Sequence, residues 1–206
     1  MRLLPPPGIK SYCIYERRID VYFHVRPIRK RFVLVFFDVI LIYNRNLTEH
    51  QGHLEQVLRV LQQNQFKANK KKCSFGCLQD EYLGHVISAA GVKMDPTKVN
   101  AVVDWPRPRS VREVRGFLGL TGYYRGFIKN YCIIAKPLTS LLKKEAATVF
   151  EWTNEAEAAF TSLKRALTEA PVLGMPNWRS HFVIECDASG TRVSAVLMQE
   201  DRPIAY

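Results

Sequence analysis

Acidic residues are scarce in this sequence. Its 206 residues contain 30 Lys and Arg but only 19 Asp and Glu, which gives a formal net charge of +11 and an isoelectric point of about 9.6. This excess of positive charge favours a polyanionic partner, and nucleic acid fits better than a membrane because no basic amphipathic helix dominates the chain. The length is enough for one large or two small domains, and the hydrophobic content of 47% argues against a disordered chain.

Long apolar runs and paired cysteines are also missing. The one long apolar run, residues 32–43, is far shorter than the roughly 20 residues of a transmembrane helix. The five cysteines are scattered and odd in number, which predicts reduced thiols in an intracellular protein and leaves nucleus, cytoplasm and organelle open. A zinc site could use His50, His53, Cys73 and Cys77, but no loop-rich knuckle accompanies them.

Asp38 is the single charge inside the apolar run. A carboxylate in such surroundings is costly unless water, a hydrogen-bond partner or a metal ion compensates it. Two interpretations stay open from the residues alone. Asp38 lies either at the solvated tip of a turn between two strands, or on a hairpin as a metal-binding carboxylate.

The rest of the chain predicts alternating helices and strands. Thr48 opens a helix over 49–63, Asp95 and Pro96 begin a short one, and Ser110 begins a third that Gly119 and the residues after it are expected to end. Thr153 caps a fourth helix. Strands are predicted at 82–87, 92–94, 181–187 and 193–199.

Two segments mark domain limits. Residues 1–28 are rich in proline and arginine and predict a basic leader outside the fold that follows. The Trp105-Pro106-Arg107-Pro108 segment predicts a stiff linker and gives the best internal boundary.

Ordered motifs over residues 29–206 resemble the pol polyprotein of gypsy-type long-terminal-repeat retrotransposons, especially plant ones. They are FVLVFFDVILIYN, KKCSFG, EYLGHVIS, GVKMDPTKV, WPRPRSVREVRGFLGLTGYYRGFI and FVIECDASG. The resemblance implies an α+β protein truncated at both ends. It assigns residues 29–104 to the C-terminal palm of a reverse transcriptase, 105–148 to thumb and connection helices, and 149–206 to a connector and the start of an RNase H-like α/β domain.

The resemblance also implies site residues. Asp38 is similar to the first Asp of the polymerase hairpin and Asp187 to the first RNase H carboxylate, and both would bind Mg²⁺. The family's second hairpin Asp falls on Val39. Nucleic acid would contact two groups of residues, the primer-gripping hairpin and the thumb surface. They are Leu83, Gly84 and His85, followed by Arg112, Arg115, Tyr123, Tyr124 and Arg125.

The implied family activity is RNA-directed DNA synthesis with hydrolysis of the RNA strand in RNA–DNA hybrids. The resemblance expects several metal-binding carboxylates, but Val39 replaces one of them and no upstream carboxylate lies in the family's palm motif. The chain as written is therefore predicted to be inactive. The alternative function is a non-catalytic protein that binds RNA–DNA hybrid or other nucleic acid through the basic thumb. A third possibility is a product that unfolds and is degraded, because neither half is expected to have a complete core.

Overall fold

The structure is a computed structural model, and it describes residues 9–14, 32–36, 39–44, 46–143, 150–189 and 192–206. Asp38 and most of the predicted leader lie outside these ranges. The chain divides into two compact units. Unit 1 comprises Met1–Lys93 and Met175–Asn177, and unit 2 comprises Met94–Gly174 and Trp178–Tyr206.

A four-stranded antiparallel sheet carries the core of unit 1. Its strands are β1 (Ile9–Ile14), β2 (Val33–Phe36), β3 (Val39–Asn44) and β4 (Ser74–Cys77), in the order β2-β3-β1-β4. The apolar run supplies β2 and β3, which pair from Val33 with Ile42 to Phe36 with Val39. The predicted pair of strands in this run is therefore confirmed.

Strand β1 corrects the predicted leader. It lies between β3 and β4, with Ile9 opposite Asn44 and Ile14 opposite Val39. Lys10 is fully buried, and its burial lowers the pKa of its amine while the nearby Asp80 carboxylate raises it. The leader was assigned from its arginines and prolines, whereas residues 9–14 have the β-branched and aromatic composition of a strand.

Helix α1 (Leu47–Gln63) covers one part of this core. It begins earlier than predicted because the side chain of Asn46, rather than Thr48, accepts a hydrogen bond from the Glu49 N–H at 2.8 Å. Its Val57 and Leu61 pack into a cluster with apolar residues of the sheet. These residues are Phe32, Val33, Ile40 and Ile42.

A second sheet of unit 1 has three strands in sequence order. They are β5 (Asp80–Tyr82), β6 (His85–Ser88) and β7 (Gly91–Met94). The turn before β7 ends at Gly91. Its φ of 132° confirms the positive φ expected at this position, which a glycine adopts at little cost.

Unit 2 consists of helices followed by a three-stranded meander. The helices are α2 (Pro96–Val103), α3 (Val111–Tyr123), α4 (Tyr131–Leu141) and α5 (Asn154–Thr168). The strands are β8 (Val183–Ser189), β9 (Arg192–Gln199) and β10 (Arg202–Ala205), with β9 in the middle. None of the helices in the described ranges is long and apolar enough to cross a membrane.

Three of the helices in unit 2 begin at the cap residues predicted from the sequence. Asp95, Ser110 and Thr153 each accept a hydrogen bond from a backbone N–H of the first turn, as predicted. The predicted end of α3 near Gly119 is wrong, because the helix continues to Tyr123. Burial of Phe117 and Thr121 on its inner face compensates for the roughly 1 kcal/mol that a glycine costs inside a helix.

The boundary between the units lies at 93/94 instead of the predicted 104/105. Helix α2 belongs to unit 2, where it contacts α3 and α5 and buries Val102. The Lys164 amine of α5 donates hydrogen bonds to the carbonyls of Val103 at 2.8 Å and Trp105 at 2.6 Å. The predicted linker is thus attached to α5, and the assignment of segments to palm, thumb and RNase H-like domain stays a prediction.

Candidate nucleic-acid interface

An exposed stripe runs along α3. Arg112, Arg115, Gly119 and Tyr123 follow one another at intervals of three or four residues and therefore share one helix face. Both arginines are exposed, and Tyr123 exposes 47% of its surface. These four residues are called the α3 stripe. Arg125, in the 3₁₀ turn that follows, is also exposed.

The start of α3 keeps the stripe positive. Glu113 is the acidic residue of the first turn, and its carboxylate accepts a hydrogen bond from the Arg109 N–H at 2.8 Å. Its own N–H donates to the hydroxyl of the N-cap residue Ser110 at 3.3 Å, an arrangement close to a capping box. The negative charge of Glu113 is therefore held at the helix N-terminus, where the helix dipole favours it.

Tyr124 does not belong to this surface. Only 2% of it is exposed, and its ring packs edge-on against Tyr123 at 4.9 Å and Phe127 at 6.2 Å between centroids. Burial raises the pKa of its hydroxyl above the usual value. Because successive helix residues are about 100° apart, the neighbour of an exposed residue can face the core. The expectation that Tyr124 contacts nucleic acid is corrected.

The predicted primer-gripping residues form a tight turn between β5 and β6. Leu83 and Gly84 have φ values of 52° and 72°, and Tyr82 pairs with His85 across the turn. The Nδ1–H of His85 donates to the Leu83 carbonyl at 2.9 Å. A positive φ costs a leucine about 1–2 kcal/mol. The Leu83 side chain packs against a cluster formed by Leu41, Tyr82 and Ile87, and this packing offsets the cost.

Of the two predicted metal carboxylates, Asp38 lies outside the described residues and Asp187 lies on β8. Asp187 is exposed on β8, opposite Ser194, and Glu185 shares its face of the strand. No group of three or more His, Cys, Asp or Glu able to hold a metal ion occurs in the described part of the chain. A pair of neighbouring carboxylates fits a divalent ion only in part, because Mg²⁺ takes six ligands in near-octahedral geometry.

A buried polar cluster at the end of β3 was not predicted. The Nδ1–H of His50 donates to Asn44 Oδ1 at 3.0 Å, and Asn44 Nδ2 donates to His53 Nδ1 at 2.5 Å. The His53 ring stacks on Phe32 at 3.6 Å. These contacts occupy the two histidines considered for zinc. Two histidines three residues apart on a helix indicate that their side chains lie close together. The sequence does not show their shared partner, because Asn44 lies on β3.

Two family models match the chain. Residues 11–87 match the reverse transcriptase (RNA-dependent DNA polymerase) model, and residues 152–206 match the RNase H-like domain found in reverse transcriptase. The first match begins inside the segment predicted to lie outside the family. The pol polyprotein of the gypsy transposon of Drosophila melanogaster is 35% identical over 210 residues, which cover 97% of this chain and 20% of the polyprotein.

The chain belongs to the reverse transcriptase and RNase H region of gypsy-type retrotransposon pol polyproteins. An uncharacterized mitochondrial protein of Arabidopsis thaliana is 53% identical over 134 residues, which cover 64% of this chain and 83% of that protein. The chain spans only about a fifth of the length of the gypsy polyprotein.

Solved structures agree on the fold. A foamy viral protease-reverse transcriptase in complex with double-stranded DNA superposes with a TM-score of 0.89 and 21% identity, over 100% of this chain and 43% of the viral one. The complex of the same viral protein with RNA/DNA hybrid gives a TM-score of 0.86. The α+β fold of a reverse transcriptase fragment is therefore confirmed. Reverse transcriptases generally use divalent metal ions.

Proposed function

We propose that this chain binds an RNA–DNA hybrid or a similar duplex through the α3 stripe, and that it does not itself extend a primer. The observation that carries the proposal is the stripe. Two exposed arginines, an exposed tyrosine and a glycine lie on one face of a rigid, capped helix. Arginine forks match phosphate geometry, and such contacts supply most of the affinity of proteins for duplexes.

Gly119 supports a close approach of the partner. A Cβ placed at Gly119 would meet no atom within 4 Å, so packing within the described chain does not require a glycine there. A glycine in open space on a helix lowers stability without an internal benefit. Its absent side chain allows the sugar–phosphate backbone to lie against the helix between Arg115 and Tyr123.

The α3 stripe has a direct binding test. Replacing Arg112 and Arg115 by glutamine should weaken binding to an RNA–DNA hybrid. The negative slope of log K against log salt should become less steep, by about 0.9 per lost phosphate contact. Fluorescence anisotropy over a salt series measures both quantities. The charge-matched control is Arg59→Gln with Arg165→Gln, two exposed arginines outside the stripe. Equal losses in both double variants would mean that net charge, and not the stripe, drives binding.

The lack of primer extension is proposed from Val39. Nucleotidyl transfer through two metal ions needs several carboxylates around the ions, and Val39 stands where the resemblance expects one of them. In the sheet Val39 pairs with Ile14 and Phe36, both apolar. Purified chain that extends a primed RNA template with Mg²⁺ or Mn²⁺ would contradict this part of the proposal.

A further inference from the structure

A second basic surface lies in unit 1. The 3₁₀ turn Lys70–Lys72 leads directly into β4, and all three lysines are exposed. Phe75 in β4 and Leu78 just after it expose 46% and 74% of their surfaces. These five residues are called the lysine-turn surface.

The turn that carries the lysines is fixed by Asn69. The Asn69 side chain accepts a hydrogen bond from the Lys71 N–H at 3.2 Å. The Asn69 carbonyl accepts bonds from the Lys72 N–H at 2.9 Å and from the Cys73 thiol at 3.1 Å. Because the backbone under the lysines is already ordered, binding need order only their side chains.

Phe75 is exposed in β4, whereas the side chain of its neighbour Ser74 is tied to a buried group. The hydroxyl of the preceding Ser74 donates to the buried Asp80 carboxylate at 2.5 Å, so Ser74 faces the interior. Successive side chains of a strand point to opposite faces, and the 46% exposure of Phe75 agrees with a position on the outer one. A partly exposed aromatic ring thus follows three exposed lysines within three to five residues of the chain.

Within the described part of the chain, no ion pair neutralises the three lysines of this surface. Both salt bridges found among the described residues lie elsewhere, at Arg59 and at Arg107. The carboxylate of Asp80 is buried, accepts from Ser74 and from the Glu81 N–H, and interacts with Lys10. The lysine-turn surface therefore suits a partner that supplies negative charge and a flat apolar face together.

We propose that the lysine-turn surface binds single-stranded nucleic acid, with the lysines on phosphates and Phe75 stacked on an unpaired base. A duplex hides the faces of its bases, whereas a single strand offers them to aromatic side chains. An anionic membrane fits less well, because the surface has two apolar side chains and no amphipathic helix. The proposal shares with the proposed function only the class of partner, since its residues are different.

The test uses the full chain and a labelled oligothymidylate, followed by fluorescence anisotropy over a salt series. Replacing the three lysines by glutamine should make the negative slope of log K against log salt less steep by about 2, because each phosphate contact on a single strand contributes about 0.7. Phe75→Leu should weaken binding about tenfold. Phe75→Tyr, which keeps the ring, should bind like the natural chain. The charge-matched control replaces the exposed lysines Lys93, Lys136 and Lys143 by glutamine.

The outcomes separate this proposal from the preceding one. Binding of RNA–DNA hybrid that Phe75→Leu leaves unchanged shows that the variant is folded. Binding of the natural chain to the single strand but not to the hybrid would support the lysine-turn surface and contradict the α3 stripe. Binding to the hybrid alone, equal losses in the lysine control, or tighter binding to phosphatidylserine vesicles than to the oligonucleotide would overturn the lysine-turn surface.

Discussion

Substituting Gly119 by alanine should raise stability and lower affinity at the same time. Gly119 lies inside α3 and Gly52 lies inside α1, both exposed, and a Cβ added at either meets nothing within 4 Å. Alanine therefore gains its helix propensity at both sites without a clash. Each substitution should raise the free energy of unfolding of its unit by about 1 kcal/mol.

The effect on binding should differ between these two sites. If a duplex backbone lies against the α3 stripe, the methyl group of Gly119→Ala occupies the contact. Overpacking of a close contact costs about 1–3 kcal/mol, which corresponds to an affinity roughly 5- to 150-fold weaker. Gly52→Ala lies in unit 1 outside the stripe and should bind the hybrid like the natural chain.

Urea unfolding and anisotropy with an RNA–DNA hybrid measure the two quantities on the same protein preparations. A more stable Gly119→Ala variant that binds the hybrid as tightly as Gly52→Ala would refute close approach at the stripe. A loss of affinity in both alanine variants would point to a cause other than the methyl group at the stripe. Only opposite changes in stability and affinity, confined to Gly119, agree with the proposed contact.

Two further predictions concern stability. Burial and the neighbouring His53 lower the pKa of His50, so the unfolded chain binds the extra proton first. Stability should therefore be full above about pH 6.5 and decrease as the pH falls from there toward the folded-state pKa, and His50→Gln should flatten this dependence in urea titrations at a series of pH values. Lys164→Met keeps the aliphatic stem but leaves two carbonyls without their charged donor, which should destabilise unit 2 by about 1.5–3 kcal/mol. Lys136→Met, at an exposed position, should change stability by less than about 0.5 kcal/mol in the same thermal or urea assay.

Local features of the fold could be predicted because neighbouring residues determine them. The caps at Asp95, Ser110 and Thr153 depend on a side chain and an N–H two or three residues away. Strand β1 could not be predicted in the same way. Its place between β3 and β4 depends on partners some 30 and 60 residues away in the sequence, and its composition was judged together with the arginine-rich stretch around it.

The candidate interface shows the same limit at the level of single residues. Helical spacing predicts that Arg112, Arg115 and Tyr123 share a face, and the structure places them so. The motif also contains Tyr124, whose burial depends on Phe127 and on the helices around it. Gly119 was interpreted as a helix breaker. Gly119 lies four residues after Arg115 and therefore on the same polar face of the helix, and this spacing indicates a contact surface.

Binding and catalysis have different structural requirements in this chain. The α3 stripe and the lysine-turn surface are each made from one contiguous stretch whose backbone is fixed by its own caps at Ser110 and Asn69. A two-metal site instead needs carboxylates from several strands at ligand distance, and loss of one ligand weakens the whole site. Val39, which stands where the resemblance expects one such ligand, pairs with the apolar Ile14 and Phe36 and belongs to neither surface. The proposed binding therefore does not depend on the proposed loss of primer extension, and binding assays test the two surfaces more directly than activity assays do.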